Sequence, residues 1–408
     1  MMTTSLLNDK TGQQIIEGIA SRFAKLVRTK GLSGYSPLGS ELGVALFLCS
    51  YSTTHTEYIN ISEIALKQIL RNVRNNAPLI SYCNGYAGLG IVLNKLKEIG
   101  YIEDITEALN HLDICIHNMF HKYLHTENID FLHGKIGVGF YLIMRASEDC
   151  DYSKTLLINI IETIEKCSLK IGYKNIIQQF NPKDSNKNFN ISLSHGMSGV
   201  LIFLCQLYKK RLLGKEMQEK IFDLIQNSTN FLITQRLDPT LNGSCFPSLS
   251  LINKTNGTYS RLAWCYGDLG IAMALLNASN ILNNESVKEI ACSTLAYNAT
   301  HRLNAIDNLI YDGTMCHGSS GVAAIFRKIS NLSDTHFYKE AWNYWHKVTL
   351  NFAKADNLGF RYDFYNPEKH KFQPDNSILT GTSGVGLYLL NSEIIENLFL
   401  IDTLDDAL

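Results

Sequence analysis

Seven times the chain writes a glycine, two intervening residues, a second glycine and then an apolar run. Six copies keep both glycines: Gly85-Tyr86-Ala87-Gly88, Gly134-Lys135-Ile136-Gly137, Gly196-Met197-Ser198-Gly199, Gly267-Asp268-Leu269-Gly270, Gly318-Ser319-Ser320-Gly321 and Gly381-Thr382-Ser383-Gly384. The copy nearest the N-terminus has Ser40 in the leading place and ends at Gly43. Successive second glycines fall 45 to 71 residues apart, a period that belongs to helical repeats stacked as a solenoid or closed into a ring. Glycine at a loop-to-helix junction lets backbones pass closely and accepts positive φ. Each apolar run that follows, such as Val200 to Cys205, therefore reads as a buried inner helix.

Before every junction lies a longer amphipathic stretch. Residues 61 to 76 put Leu66, Ile69, Leu70 and Val73 on one face, and residues 103 to 120 do the same with Ile105, Leu109, Leu112, Ile116 and Met119, the spacing of a half-buried helix. Equivalent stretches fall near 13 to 30, 153 to 170, 215 to 235, 286 to 303 and 336 to 353. Inner helices apolar all round, wrapped by outer helices apolar on one side, predict an all-α fold: a double-layered α/α toroid, or barrel, of seven inner and seven outer helices. The glycine junctions then gather around one mouth.

No Pro-, Gly- or Ser-rich linker interrupts the repeat, so residues 1–408 read as a single domain. An apolar content of 45% fills a large core, and the low charged content of 18% suits a fold in which half the helices face inward. A net charge of −1 gives no electrostatic reason for a nucleic-acid or anionic-membrane partner. The N-terminus has no signal-peptide pattern and no apolar run is long enough to span a bilayer, so a soluble cytoplasmic protein without membrane insertion is expected. Ten scattered cysteines do not resemble the framework of a small secreted domain and read as reduced thiols.

Three insertions fit neither layer. Residues 171–194 are polar and Asn-rich and read as a loop. Residues 236–263 read as a β-hairpin, Leu249-Ser250-Leu251-Ile252 and Thr258-Tyr259-Ser260-Arg261 around a type I′ turn at Asn256-Gly257. Residues 355–378 carry Phe360, Tyr362, Phe364 and Tyr365 between turn residues. All three run into a glycine junction, and an aromatic and polar rim suits an extended peptide.

Four junctions are preceded by chemically able residues. Cys265 and Cys316 occupy the same place in two copies of the motif, and His317 follows Cys316 directly. Alone, each cysteine would read as a buried apolar side chain. Together, two thiolates and an imidazole are one ligand short of a closed tetrahedral Zn²⁺ site and leave a position open for chemistry. Such a metal, one per chain, would lower the pKa of an incoming thiol. His195 stands directly before Gly196 and Asp130 four residues before Gly134. An imidazole that titrates near neutrality is a natural proton carrier, and a carboxylate beside it fixes its tautomer; their ordinary alternatives are a helix-start hydrogen bond for His195 and an N-cap for Asp130. Arg261 and Tyr266 flank the first metal cysteine. Arg261 could meet a substrate oxygen or a surface carboxylate, and Tyr266 could donate into the site or simply pack. His111, His117, His121 and His125 read as a solvated helix face, and His133 as a weaker proton carrier than His195.

Ser194-His195-Gly196-Met197-Ser198-Gly199, Trp264-Cys265-Tyr266-Gly267 and Cys316-His317-Gly318-Ser319-Ser320-Gly321, in that order over a sevenfold repeat, resemble the lanthionine synthetase C-like family across about the whole chain. The resemblance implies a toroid with Zn²⁺ held by Cys265, Cys316 and His317. It implies a lanthipeptide cyclase that adds precursor-peptide cysteine thiols to dehydroalanine or dehydrobutyrine, giving lanthionine or methyllanthionine rings. His195 maps to the acid that protonates the enolate, Asp130 to its partner, and Arg261 and Tyr266 to the Arg and Tyr of the zinc motif. The implied partners are a dehydrated precursor peptide, leader plus core, and a lanthipeptide dehydratase. Two departures are Leu269 in place of the usual Pro and Ser40 in place of the first leading Gly.

Two other classes compete. Family members can bind a small thiol such as glutathione at the same metal without cyclising a peptide. An α/α-barrel glycosidase would want two carboxylates across the mouth, for which only Asp130 and Asp268 are placed, and a zinc prenyltransferase would offer an Asp, Cys, His set that these motifs do not match.

Overall fold

The leading glycine of all six complete motifs, from Gly85 to Gly381, sits at the N-cap of a helix. The computed structural model describes residues 2–75, 79–123, 127–147, 151–171, 174–177, 189–251 and 259–408. In chain order α1 (Met2–Thr29), α2 (Leu42–Ser52), α3 (Ile59–Asn75), α4 (Tyr86–Glu98), α5 (Thr106–Tyr123), α6 (Lys135–Ala146), α7 (Asp151–Lys166), α8 (Met197–Lys210) and α9 (Lys215–Thr234) lead to a one-turn helix, α10 (Pro239–Asn242). Then come α11 (Asp268–Leu282), α12 (Glu285–His301), α13 (Ser319–Leu332), α14 (His336–Asn351), α15 (Thr382–Leu389) and α16 (Glu393–Leu398). Helices α2, α4, α6, α8, α11, α13 and α15 start at the motifs and form the inner ring. Helices α1, α3, α5, α7, α9, α12 and α14 form the outer one, and α15 packs back on α2 to close the double-layered toroid.

Burial follows the sequence pattern of each layer. Helix α2 buries every residue from Leu42 to Cys49, and α11 every residue from Asp268 to Ser279. An outer helix buries one stripe: in α9 it is Ile221, Leu224, Ile225, Ser228, Thr229, Phe231 and Leu232. The second motif glycine is needed because the loop ahead of it folds back over the helix start. A Cβ on Gly88 would lie 1.9 Å from the carbonyl oxygen of Tyr82, and one on Gly137 would lie 2.1 Å from that of Phe131. In both cases the carbonyl belongs to the sixth residue back, so the repeat encodes one loop shape.

The C-terminal segment fills the middle of the ring. Trp264 Nε1 donates to the Phe399 carbonyl at 2.7 Å, and the Tyr82 hydroxyl donates to the Leu398 carbonyl at 3.0 Å. Tyr82 and Trp264 come from turns on opposite sides of the toroid, so residues that touch both lie near its axis.

The insertions differ from expectation in detail. Where the sequence reads as helix running into polar loop, β1 (Ser168–Ile171) pairs antiparallel with β2 (Lys174–Ile177); residues 178–188 lie outside the described residues. The expected hairpin over 249–261 is not formed by the described part of that stretch: Leu249 pairs instead with Asn190, and the turn at Asn256-Gly257 lies outside the described residues. The 355–378 insertion is two hairpins, β3 (Lys354–Asp356) with β4 (Gly359–Arg361) and β5 (Asp363–Asn366) with β6 (Lys371–Pro374). Of its aromatics, Tyr362 is buried and Phe360 packs on Gly18 of α1, so neither belongs to a rim.

Among the described residues no helix is long and apolar enough to cross a membrane, and no cysteine is bridged.

Candidate metal centre and active site

A belt of peptide hydrogen bonds sets the geometry of the mouth. Two places ahead of each leading motif position stand Leu38, Cys83, Leu132, Ser194, Cys265, Cys316 and Leu379. The N–H of Leu38 donates to the Cys83 carbonyl and that of Cys83 to Leu132; Ser194 donates to Cys265, Cys265 to Cys316, Cys316 to Leu379, and Leu379 back to Leu38, all at 2.8 to 3.2 Å. The first turn joins this belt through Leu38 although Ser40 replaces its glycine. Six of seven steps are thus closed by backbone. Because Cys265 and Cys316 hold equivalent places in consecutive turns, the belt makes them neighbours whatever their side chains.

Their thiols and the His317 ring converge. One ligand atom from each of Cys265, Cys316 and His317 lies within 4.8 Å of the other two, and among the described residues this is the one such group of His, Cys, Asp or Glu. Cys265 is buried, while Cys316 and His317 are partly open to the mouth. Burial alone would raise the Cys265 thiol, but hydrogen bonds from Cys316 and His317 and the charges of His317 and Arg261 hold it well below its ordinary value. Cys316, hydrogen-bonded to that thiolate and itself screened from water, goes up instead. Two sulfurs that hydrogen-bond to each other, with an imidazole alongside, have the donor set and spacing of a thiophilic cation site and fit Zn²⁺.

Across the step that the belt leaves open, between the Leu132 and Ser194 turns, two side chains meet. His195 Nδ1 lies 2.7 Å from Asp130 Oδ2, while Asp130 Oδ1 accepts from the His133 N–H at 2.7 Å. The carboxylate therefore serves the histidine and caps its own turn at once. Burial pushes His195 down, but the hydrogen bond and charge of Asp130, aided by the charge of Cys265, outweigh it and its pKa is raised. The His133 ring stacks on His195 with centroids 6.0 Å apart, and there burial wins and the pKa falls.

Arg261 Nη2 donates to the carbonyls of Leu309, at 2.5 Å, and His317, at 3.4 Å, and so braces the turn that carries His317. Tyr266 is screened from water, which raises its phenol, and its hydroxyl lies 3.5 Å from Asn190 Nδ2. Its ring is 6.2 Å from that of His195. All seven residues singled out in the sequence thus meet at one end of the toroid.

Asp268 is not part of the mouth. Wholly buried, it accepts from the N–H groups of Cys245 and Phe246 and pairs with Arg302 at 3.1 Å, pinning the 236–263 insertion onto α11 and α12. A second catalytic carboxylate opposite Asp130 is therefore not supplied by this residue. His111, His117 and His121 are exposed along α5 as the sequence suggests, and His125 lies outside the described residues.

Two neighbours of the site escaped the sequence reading. Asp312 accepts from the Thr314 N–H and the Tyr365 N–H, and its Oδ2 is 3.9 Å from His317 Nε2. Asn190 holds Tyr266. A signal for both existed: Asn128, Asn190, Asp312 and Asp375 all stand six residues before a leading glycine, and each side chain accepts from the N–H two residues on, an Asx-turn. In the Cys265 turn that place is Arg261, which cannot make the turn, and there alone the leading glycine, Gly267, takes φ +82°. Leu79 breaks the same pattern ahead of Gly85, where the leading glycine keeps a negative φ.

The family pattern described as lanthionine synthetase C-like protein matches residues 41–398. Nisin biosynthesis protein NisC of Lactococcus lactis subsp. lactis is 24% identical over 281 residues, covering 64% of this chain and 66%, just under two thirds, of that protein. A solved structure of nisin cyclase superposes with a TM-score of 0.73 at 19% identity, covering 96% of this chain and 98% of that one. At that identity the likeness establishes the toroid, and the chemistry rests on the site.

Proposed function

The chain belongs to the lanthionine synthetase C-like family, and from that premise we propose that it closes thioether rings in a dehydrated precursor peptide. In this reading a cysteine thiol of the peptide adds to the β-carbon of a dehydroalanine or dehydrobutyrine in the same peptide. The observation that carries it is the placement of a Cys, Cys, His ligand group and a paired histidine and aspartate around one mouth. Cys265, Cys316 and His317 would hold one Zn²⁺, which when bound supplies a lowered thiol pKa and so a nucleophile at neutral pH.

The residues of the chain account for the rest. Addition forms the S–Cβ bond and moves the alkene electrons toward the carbonyl as an enolate, which takes a proton at Cα. Nδ1 of His195 is occupied by Asp130, so Nε2 is the nitrogen that carries the proton. The raised pKa keeps this imidazole protonated further into the neutral range, as a general acid requires. The thiol releases one proton to solvent and His195 gives one to Cα; taking a proton back from solvent returns His195 to its starting state, so the addition is proton-neutral overall. Arg261 and Tyr266 offer a positive charge and a phenol to the developing enolate oxygen. Substrate alkenes come from eliminated serine and threonine, so a dehydratase acts first. A cytoplasmic setting would keep both metal thiols reduced.

The test is to incubate the zinc-loaded protein with a peptide bearing one cysteine and one dehydroalanine. Lanthionine in the acid hydrolysate supports the reading; unchanged cysteine with the zinc-loaded protein overturns it.

A further inference from the structure

A strip of aromatic rings leads away from the metal ligands. A cavity of about 140 Å³ is lined by Arg261, His317, Leu309, Tyr311, Asp312 and Tyr365. The Tyr311 ring packs on Tyr365 with centroids 5.1 Å apart, and Tyr365 packs on Phe372, on the facing strand of the β5–β6 hairpin, at 5.4 Å. Tyr311 is 39% exposed and Phe372 47%, and Lys354 Nζ sits 4.7 Å from the centre of the Phe372 ring. The hairpin is also latched to the site: the Tyr365 N–H donates to Asp312 Oδ2 at 2.9 Å, and that carboxylate faces His317.

We propose that Tyr311, Tyr365 and Phe372 form the track on which the core of the peptide lies beside the reacting thiol, and that it selects for dehydrated residues. The proposal rests on the ring-closing reading. The occupant is argued from continuity, because the cavity shares Arg261 and His317 with the metal site and adjoins the place where the peptide thiol would react. Its chemistry follows from shape. A dehydroamino acid is flat, its alkene conjugated with the flanking amides, and lies face-on to an aromatic ring; the saturated residue is tetrahedral at Cα and cannot. The track therefore distinguishes peptide that is ready to cyclise from peptide that is not.

The experiment uses two hexapeptide probes, each with S-methylcysteine so that no free thiol contributes, one with dehydrobutyrine and one with 2-aminobutyrate in its place. Binding to the zinc-loaded protein is measured by calorimetry, and the KM and kcat of cyclisation with a free-thiol version. Wild type should prefer the unsaturated probe. Tyr311→Ala and Phe372→Ala should each weaken it by roughly 3- to 10-fold, the worth of an aromatic contact, and shrink the preference. KM should rise while kcat and zinc content hold, and Tyr311→Phe should restore binding. Because both side chains are exposed, neither variant threatens the fold. If wild type cyclises but both alanine variants bind both probes as it does, the track is refuted and the cyclase reading stands. If zinc-loaded wild type neither binds nor cyclises the dehydrated peptide, both fall together.

Discussion

Asp130 reaches His195 across the one step of the mouth that lacks a belt hydrogen bond, with Oδ2 2.7 Å from Nδ1. The same carboxylate caps its own turn through the His133 N–H. Capping and catalysis can be separated, because asparagine caps about as well as aspartate. Asp130→Asn should leave the cap on the His133 N–H nearly as good and slow cyclisation. Asp130 raises the His195 pKa, so its neutral replacement lets that pKa fall. The high-pH limb of the rate profile should move to lower pH; a limb that stays in place returns Asp130 to the role of cap.

His195→Ala should leave zinc content and peptide binding intact and slow ring closure on the order of 10²–10⁴-fold, the loss for a general acid. Adding Asp130→Asn to it should cost little more, since residues acting as one unit are not additive. Single-turnover rates across the cycle decide this, and multiplicative losses would mean that the two act independently.

The glycine repeat makes a stability claim. A Cβ on Gly137 would meet the Phe131 carbonyl at 2.1 Å and Tyr82 Cβ at 2.5 Å, neither of them the free end of a flexible side chain. Gly137→Ala should cost about 1–3 kcal/mol, as overpacking does. Gly12 in α1 has only Leu350 Cδ2, at 4.0 Å, near such an atom, so Gly12→Ala should be neutral or add up to about 1 kcal/mol from helix propensity. Urea titrations of the two variants should separate in opposite directions.

The toroid was legible because its loops need glycine for a backbone reason, and backbone needs recur at fixed places. Cys265 and Cys316 were legible for the same cause: equal offsets in consecutive turns become neighbours on a belt. What escaped depended on side-chain environment. Tyr362 reads as a rim aromatic, but its N–H bonds Thr382 Oγ1 and its ring lies against Gly313, contacts made across distant segments. Ser168–Ile171 and Lys174–Ile177 are too short for their alternation to stand out from the end of a helix. The contact of Asp130 with His195 could be expected from adjacent turns, whereas Asp312 and Asn190 emerge only when the turns are aligned on their sixth preceding residue.

Metal analysis addresses the ligand set. The purified protein should hold about one Zn²⁺ per chain, as a single three-ligand site does, and Cys265→Ala, Cys316→Ala and His317→Ala should each lose it with the helical fold retained. Full occupancy in Cys316→Ala would remove that residue from the site.

The central claim is that the Cys265, Cys316 and His317 cluster turns a peptide thiol into a ring. It is tested most directly by counting free thiols, through alkylation and mass spectrometry, on a dehydrated cysteine peptide after incubation with wild type and with Cys316→Ala. The expected result is loss of the alkylatable thiol at unchanged peptide mass with wild type, and a peptide still alkylated with Cys316→Ala. Equal thiol loss with both proteins, or none with zinc-loaded wild type, would contradict it.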